Sequence, residues 1–261
     1  MEDASVVKRT MAFRFAQMTN VGGRESNQDA LGSAQQDGLA CFVVSDGVGG
    51  QAGGEIASSL VVNTIRNRFI QAPSADPNAL RAHVEHATAE IGRGKAEQGQ
   101  LQNMSATAAV VLLDPKKHCA VWAHMGDTRI YLFRNNKVSA MTKDHSLVQQ
   151  FVDAGYCKPD QLRTHPLRGT LYAAIGAEGD THPEVTELVV DIEDGDAFFI
   201  CTDGFWEWIG EEEMEQSLSR AATVENWLAD MCRIAEQHSA VSAKSRDNYT
   251  AFAIWMGDFK R

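Results

Sequence analysis

Short apolar runs separated by turn dipeptides dominate this sequence, and two longer stretches between them follow a helical period. Apolar runs bounded by Gly, Asp, Asn or Pro are typical of β-strands. The Asp37-Gly38 pair between two such runs predicts a hairpin turn. Three consecutive runs, at residues 107–113, 120–125 and 129–133, predict an antiparallel meander, with Gly126-Asp127 as the turn between the last two. The predicted strands are 13–15, 39–45, 107–113, 120–125, 129–133, 185–190, 197–201 and 249–256.

Helices are predicted where apolar side chains recur every three or four residues. Pro77 precedes the second of two long helices, a position that suits proline. Ser146 predicts the cap of a further helix that Gly155 would end. Because strands and helices come in separate blocks, the pattern favours an α+β fold with antiparallel sheets and helices outside them. The helical positions are Ile56, Leu60, Ile65 and Phe69, then Leu80, Val84, Ala87 and Ile91, and finally Val224, Leu228, Met231 and Ala235.

The composition is that of a globular protein with 261 residues, 44% of them hydrophobic, and no linker-like segment. We therefore expect a single domain over residues 1–261. No apolar run reaches the roughly 18 residues of a membrane span, and residues 1–10 lack the apolar stretch of a secretory signal, so a cytoplasmic protein is expected. A net charge of −11 argues against binding to nucleic acid or to an anionic membrane. The five cysteines are never spaced Cys-x-x-Cys, which argues against a disulfide framework or a zinc ribbon.

Four aspartates stand at the ends of strand-like runs or beside them: Asp29, Asp46, Asp203 and Asp247. A carboxylate at the end of a buried strand is costly unless a cation or hydrogen-bond donors compensate its charge. The glycine after Asp46 lets the backbone come close enough for the Gly47 carbonyl to act as another oxygen ligand. Several hard oxygen ligands at one end of a sheet predict a site for divalent cations, and a hydrolase with two metal ions is the working hypothesis.

Eight short motifs follow one another along nearly the whole chain. They are Arg24-x-x-Asn27-Gln28-Asp29, Asp46-Gly47-Val48-Gly49-Gly50, Ser105-x-Thr107, Gly126-Asp127-Thr128-Arg129, Thr142-x-Asp144-His145-Ser146, Ile175-Gly176, Thr202-Asp203-Gly204 and Arg246-Asp247-Asn248. Each is weak alone, but in this order they are highly specific. On these residues the chain resembles the metal-dependent Ser/Thr protein phosphatases of the PPM (type 2C-like) family, in its compact bacterial form. The resemblance implies two packed antiparallel β-sheets flanked by α-helices on both sides, a four-layer α/β/β/α sandwich.

The resemblance also implies a role for each aspartate. Asp46 matches the carboxylate that bridges two Mn²⁺ or Mg²⁺ ions, and Asp203 and Asp247 match ligands that complete the shell of the first ion. The Gly47 carbonyl helps to hold the second ion. Asp29 matches the acidic residue that orients metal-bound water, so it is predicted to be both a catalytic residue and part of the metal site.

Two further residues receive roles in the same way. Arg24 matches the arginine that binds the substrate phosphate, and a guanidinium can bind phosphate oxygens with two hydrogen bonds. The alternative for Arg24 is a surface arginine paired with Glu25. Asp127 matches the residue associated with a third, weaker metal site in bacterial relatives, although an aspartate in a turn is also a common structural residue.

The implied reaction is hydrolysis of phosphoserine or phosphothreonine in proteins by direct attack of a metal-bridging water or hydroxide, without a phosphoenzyme. Two departures from the family pattern affect this expectation. Val48 stands where some relatives have a histidine that protonates the leaving alcohol, so the proton must come from elsewhere. Gln28 stands where an acidic residue is frequent, so a lower affinity for the second ion is expected.

Residues 156–174 match the flap beside the active site of the family, and we expect this segment to be mobile and to influence substrate choice. The expected partners are phosphorylated proteins and an opposing Ser/Thr kinase, and the expected state is a monomer. Two alternatives stay open. One is a phosphoprotein-binding or scaffold protein that keeps the fold without turnover. The other is a cysteine-dependent phosphatase, because Cys157 and Arg163 have the Cys-x5-Arg spacing, although Pro159 and Asp160 suit a phosphate-binding loop poorly.

Overall fold

The computed structural model describes residues 9–48, 53–97, 102–179 and 181–257, so Gly49 and Gly50 of the second motif lie outside the described residues. The strands are β1 (Phe13–Asn20), β2 (Asp29–Gln36), β3 (Leu39–Val48), β4 (Ser105–Ala106), β5 (Ala108–Asp114), β6 (Cys119–Met125), β7 (Arg129–Arg134), β8 (Lys137–Met141), β9 (Glu184–Val185), β10 (Val190–Asp191), β11 (Ala197–Cys201) and β12 (Tyr249–Met256). The helices are α1 (Gly54–Gln71), α2 (Pro77–Glu97), α3 (Leu147–Asp153), α4 (Asp203–Trp206), α5 (Glu211–Arg220) and α6 (Val224–Ala240), and a 3-10 helix spans Pro159–Thr164.

These strands form two sheets. One has five strands in the order β1-β12-β11-β7-β8. The other has seven, in the order β10-β6-β5-β3-β2, with β4 paired to β3 and β9 paired to β6. All of these pairs are antiparallel. The Asp37-Gly38 pair forms the predicted hairpin turn, with φ of 53° and 80°, between β2 and β3.

The two sheets pack face to face, and helices cover both outer faces. Along β3, Phe42 and Val44 belong to the core between the sheets, whereas Cys41 and Val43 belong to the core under α1 and α2. This alternation is the two-residue period of a strand. Phe42 meets Phe252 of the opposite sheet edge to face, with ring centroids 5.2 Å apart. Helices α4 to α6 cover the five-stranded sheet, so the predicted α/β/β/α fold is confirmed.

The predicted meander between residues 107 and 133 is wrong. Strands β5 and β6 pair in the seven-stranded sheet, but β7 lies in the five-stranded sheet. The turn between them crosses from one sheet to the other, and Gly126 adopts a φ of 104° there. A Cβ at this position would lie 2.6 Å from Cγ2 of Thr107. Because both faces of these strands are buried, their apolar pattern does not reveal which sheet each strand joins.

All the predicted helices are present, but one residue that was predicted to be buried is exposed. Ile65 and Phe69 of α1 are fully buried, but Ile56 is 50% exposed. Ser146 caps α3, since its Oγ accepts a hydrogen bond from the Gln149 amide at 3.2 Å. Gly155 follows that helix with a φ of 77°. No helix in the described part of the chain is long and apolar enough to span a membrane.

Candidate active site

The four predicted aspartates converge at one end of the sandwich, where strands from both sheets end. Asp29 opens β2 and lies directly across from Asp46 of β3 in the seven-stranded sheet. Asp203 follows β11 and opens α4, and Asp247 lies two residues before β12, so both come from the five-stranded sheet. Residues far apart in the chain therefore meet because the two sheets stack with these ends together.

A cleft of about 570 Å³ opens at this end of the molecule. Six of the seven predicted site residues line it, and Asp29 lies just behind its wall with 8% of its surface exposed. One arginine that the sequence analysis did not single out, Arg168, also lines the cleft. The six predicted residues in the wall are Arg24, Asp46, Gly47, Asp127, Asp203 and Asp247.

Asp29 is anchored through one carboxylate oxygen only. Thr202 donates a hydrogen bond to Oδ2 at 2.9 Å, and Oδ1 is buried without a hydrogen-bond partner among the described residues. Burial raises the pKa of Asp29 to about 7, against the opposing effect of the Thr250 and Thr202 hydroxyls. An ionised Asp29 therefore needs a further donor or cation near Oδ1.

Backbone hydrogen bonds hold Asp46 firmly, but its carboxylate has no partner among the residues that the structure describes. Its amide donates to Oγ1 of Thr107 at 2.9 Å, and that hydroxyl lies 2.5 Å from the hydroxyl of Thr128. In the described part of the chain, no hydrogen bond or ion pair reaches the Asp46 carboxylate. Burial, and then the charge of Asp29, raise the pKa of Asp46 well above its ordinary value.

Gly47 is required by close packing. Its amide donates to the carbonyl of Gln28 at 3.0 Å. A Cβ at Gly47 would lie 2.4 Å from backbone atoms of Gly54 at the start of α1. Any larger residue would push α1 away from the end of β3, so glycine fixes the backbone beside Asp46.

Two arginines contact the aspartates of the five-stranded sheet. Nη2 of Arg24 lies 2.5 Å from Oδ2 of Asp247, so Arg24 pairs with Asp247 rather than with Glu25. Nη1 of Arg168 lies 3.7 Å from Oδ2 of Asp203. Burial raises the pKa of Asp203 to about 6, and the positive charge of Arg168 opposes this shift.

A chain of contacts supports Asp127 from behind the cleft. Nε1 of Trp206 donates to the Asp127 carbonyl at 2.8 Å. The Arg129 guanidinium lies 3.6 Å from the centre of the Trp206 ring. Its Nε and Nη2 donate to the two carboxylate oxygens of Asp144, each at 2.7 Å. Burial raises the pKa of Asp127 well above its ordinary value, and the charge of Asp203 adds to this effect. Two of the motifs and Trp206 thus form one support for the Asp127 turn.

A second polar cluster, outside the cleft, contains His124, His145 and Glu184, whose donor atoms lie within 4.8 Å of one another. Nε2 of His124 lies 2.7 Å from the Lys143 carbonyl, so this nitrogen is occupied as a donor. Nδ1 of His145 accepts from the Gly126 amide at 3.3 Å, and the His145 amide donates to the Gly126 carbonyl at 2.9 Å. The bond to Lys143 occupies Nε2 of His124, whereas Nε2 of His145 lies 3.6 Å from Oε2 of Glu184. The cluster holds the turn before Asp127.

The Cys157 and Arg163 pair does not form a phosphate-binding loop. The residues between them enter the 3-10 helix, and Arg163 donates to Glu211 of α5. Neither Cys157 nor Arg163 lines the cleft. The spacing that suggested a cysteine-dependent phosphatase therefore has no matching geometry.

Comparison with known proteins gives three kinds of similarity. The protein phosphatase 2C family model matches residues 19–246. The protein phosphatase PhpP of Streptococcus pneumoniae is 27% identical over 247 residues, which is 92% of this chain and 96% of PhpP. The crystal structure of the serine/threonine phosphatase PstP of Mycobacterium tuberculosis superposes with a TM-score of 0.81 at 26% identity, covering 94% of this chain and 99% of the crystallised PstP chain. A structure of the PstP catalytic domain in complex with two manganese ions superposes with a TM-score of 0.79 at 25% identity, covering 95% of this chain and all of that domain.

Proposed function

Because the chain belongs to the protein phosphatase 2C family and is a protein phosphatase, we propose that it hydrolyses phosphoserine and phosphothreonine in proteins with two divalent cations. The similarity to the serine/threonine phosphatase PstP supports this substrate class. One observation carries the proposal: carboxylates from both sheets meet at one cleft, and the Asp46 carboxylate has no internal cation among the described residues. Buried carboxylates in such a group stay ionised only where cations compensate them.

The donor set fits hard cations. Mn²⁺ and Mg²⁺ prefer oxygen ligands, which the cleft offers as carboxylates and a backbone carbonyl. In this proposal Asp46, the Gly47 carbonyl, Asp203 and Asp247 hold two ions, a number that the PstP complex with two manganese ions supports. When bound, the ions supply Lewis-acid activation of water and offset the charge of the phosphate.

The chain's own residues then bind the substrate and orient the nucleophile. Arg24, with 52% of its side chain exposed at the cleft, binds phosphate oxygens through two hydrogen bonds. Asp29, fixed by Thr202, orients the attacking water through its second oxygen, and the water attacks phosphorus directly. Val48 has no proton to donate, so the leaving alcohol is not protonated from this position.

Asp127 is proposed as the ligand of a third, weaker ion. Its carboxylate lines the same cleft as Asp203, and its support by Trp206 fixes the turn that presents it. With Gln28 in place of an acidic residue, the second ion has fewer charged ligands, and a lower affinity is expected for it.

Residues 1–261 act in this proposal as one catalytic domain and as a monomer. Its substrates are phosphoproteins produced by an opposing Ser/Thr kinase, and its location is the cytoplasm. The family match over residues 19–246 and the contribution of both sheets to one cleft support a single domain. A binding protein without turnover is the alternative, but every predicted carboxylate is present at the cleft, so no observation favours it.

The test is hydrolysis of a phosphothreonine peptide by metal-stripped protein while Mn²⁺ is titrated back. We expect no activity with chelator, recovery with Mn²⁺ and a loss of at least about 100-fold in Asp203→Asn. Cys157→Ser is the control for the cysteine-dependent alternative and should keep full activity. Activity that survives chelation, or a trapped phosphoenzyme, would contradict the proposal, and metal binding without turnover would indicate a binding protein.

A further inference from the structure

We propose that the Arg168 guanidinium, a fixed positive charge in the cleft, competes with a divalent ion for the space between the carboxylates of Asp203 and Asp127. The third ion can then bind only when the flap releases Arg168, so this arginine limits how many ions the cleft holds. The inference rests on the proposed function, because it concerns ions in the same cleft. It assigns Arg168 a tuning role that neither the motifs nor the family match provides.

The position of Arg168 is the first argument. It lies in the flap segment and lines the cleft together with Asp127 and Asp203. Its Nη1 is 3.7 Å from Oδ2 of Asp203, and its positive charge acts on both carboxylates. A divalent ion shared by Asp127 and Asp203 would therefore meet a positive guanidinium at close range, and like charges at that distance repel.

The second argument is that the structure holds Arg168 in place. Its Nη2 donates to Glu207, which also accepts from Lys244 at 2.5 Å. Glu207 lies one helical turn after Asp203, and its amide donates to the Asp203 carbonyl at 2.9 Å. Asp203 and Glu207 thus flank the same guanidinium, whose side chain is only 13% exposed.

The two cleft arginines differ in this respect. The side chain of Arg24 is 52% exposed, so it can turn toward a substrate at little cost. Arg168 would have to break its ion pair with Glu207 to move away from Asp203. Arg24 is therefore suited to bind the substrate, and Arg168 to act as a fixed counter-charge.

Two cations that compete for the same carboxylate weaken each other's binding. If Arg168 and an ion exclude each other at Asp203, removal of the guanidinium must tighten the weakest ion site, and the gain must depend on Asp127. The tightening should be about tenfold, the size expected for one partly screened charge at this distance. A lysine at the same position keeps the charge and should largely restore the wild-type affinity.

Calorimetric titration of Mn²⁺ into metal-stripped protein tests the proposal. Arg168→Met is compared with Arg163→Met, a matched control that removes the other flap arginine and its ion pair with Glu211 without changing the charge of the cleft. We expect Arg168→Met to bind the weakest Mn²⁺ about tenfold more tightly, or to bind one more ion. Arg163→Met and Arg168→Lys should behave like the wild type, and adding Asp127→Asn to Arg168→Met should remove the gain.

Equal titrations of Arg168→Met and Arg163→Met would overturn the proposal, because flap loosening alone would then explain both. A gain that persists with Asp127→Asn would also overturn it. If Arg168→Met does not fold by circular dichroism, Arg168→Gln carries the same comparison. A wild type that binds no Mn²⁺ would instead sink the proposed function, and this inference with it.

Discussion

Two groups of aspartates in this molecule have opposite electrostatic surroundings. Behind the cleft, Asp144 receives two hydrogen bonds from Arg129 at 2.7 Å, and at the far end of β7 Asp196 receives two from Arg134 at 2.7 and 3.0 Å. At the cleft, Asp46 has no such partner among the described residues, and its pKa is raised by burial. Asp144, with both oxygens paired to an arginine, is suited to stabilise the fold, whereas Asp46, which lacks such a partner, is suited to the external cation that we propose for it.

The largest effect is expected where the internal partner is missing. Asp46→Asn should lower kcat by at least about 10³-fold, since a proposed metal ligand is lost. The same change should make the metal-stripped protein more stable to heat, because a neutral amide costs less to bury than a carboxylate. Phosphatase assays at saturating Mn²⁺ and thermal unfolding in chelator measure the two effects. If Asp46→Asn instead unfolded at a lower temperature than the wild type in chelator, the proposed difference between unpaired Asp46 and paired Asp144 would be wrong.

At the paired site the sign for stability should be reversed. Asp144→Asn should lower the free energy of unfolding by about 3 to 5 kcal/mol, with or without Mn²⁺, because it leaves the buried Arg129 charge with only the more distant Glu211 carboxylate, 3.9 Å away, to offset it. Urea denaturation measures this loss. The exposed pair of Lys143 and Asp153 is the control, and Lys143→Met should cost no more than about 1 kcal/mol. Similar losses in both variants would mean that burial does not set the value of the pair.

The third prediction concerns pH and uses Asp29. Its pKa is raised from 3.8 to about 7 by burial, so the folded state binds this proton more tightly than the unfolded state. Its contribution to stability is therefore complete below about pH 4 and is lost as the pH rises through about 7. In metal-stripped protein the stability of the wild type relative to Asp29→Asn should fall by up to about 4 kcal/mol over this range. Denaturation at several pH values measures the difference, and a flat difference would contradict the raised pKa.

The smallest effect is expected for Trp206, which contacts both the Asp127 turn and Arg129, the partner of Asp144. Trp206→Phe removes the hydrogen bond to the Asp127 carbonyl and weakens the contact with Arg129, which should cost about 1 to 2 kcal/mol of stability. Activity at saturating Mn²⁺ should fall only a fewfold, because the proposed ligands of the first two ions are unchanged. Urea denaturation and steady-state kinetics test this. A loss of activity as large as that of Asp46→Asn would show that the support is part of the catalytic site.

Local pattern predicted much of this architecture. The periodic apolar residues of α1 and α2, the Asp37-Gly38 turn and the Ser146 cap are signals carried by neighbouring residues, and the structure contains each of them. Strand β2 was missed because its sequence, DALGSAQQ, has few large apolar residues. Ile56 was placed on the buried face of α1 although it is half exposed, because periodicity does not show where a helix stops contacting the sheet.

Local burial and turn preferences were enough to predict the helices, most of the strands and the aspartates at strand ends. The four-layer arrangement came from the family resemblance that the ordered motifs carry. Three features depend on the three-dimensional fold: β7 leaves the sheet of β6, Thr202 binds Asp29 across 173 residues, and Arg168 reaches Asp203 from a polar loop. These contacts join residues that are distant in the chain, and no local pattern specifies which distant partner a side chain meets. The stacking of the two sheets selects those partners, and with them the charge balance of the cleft.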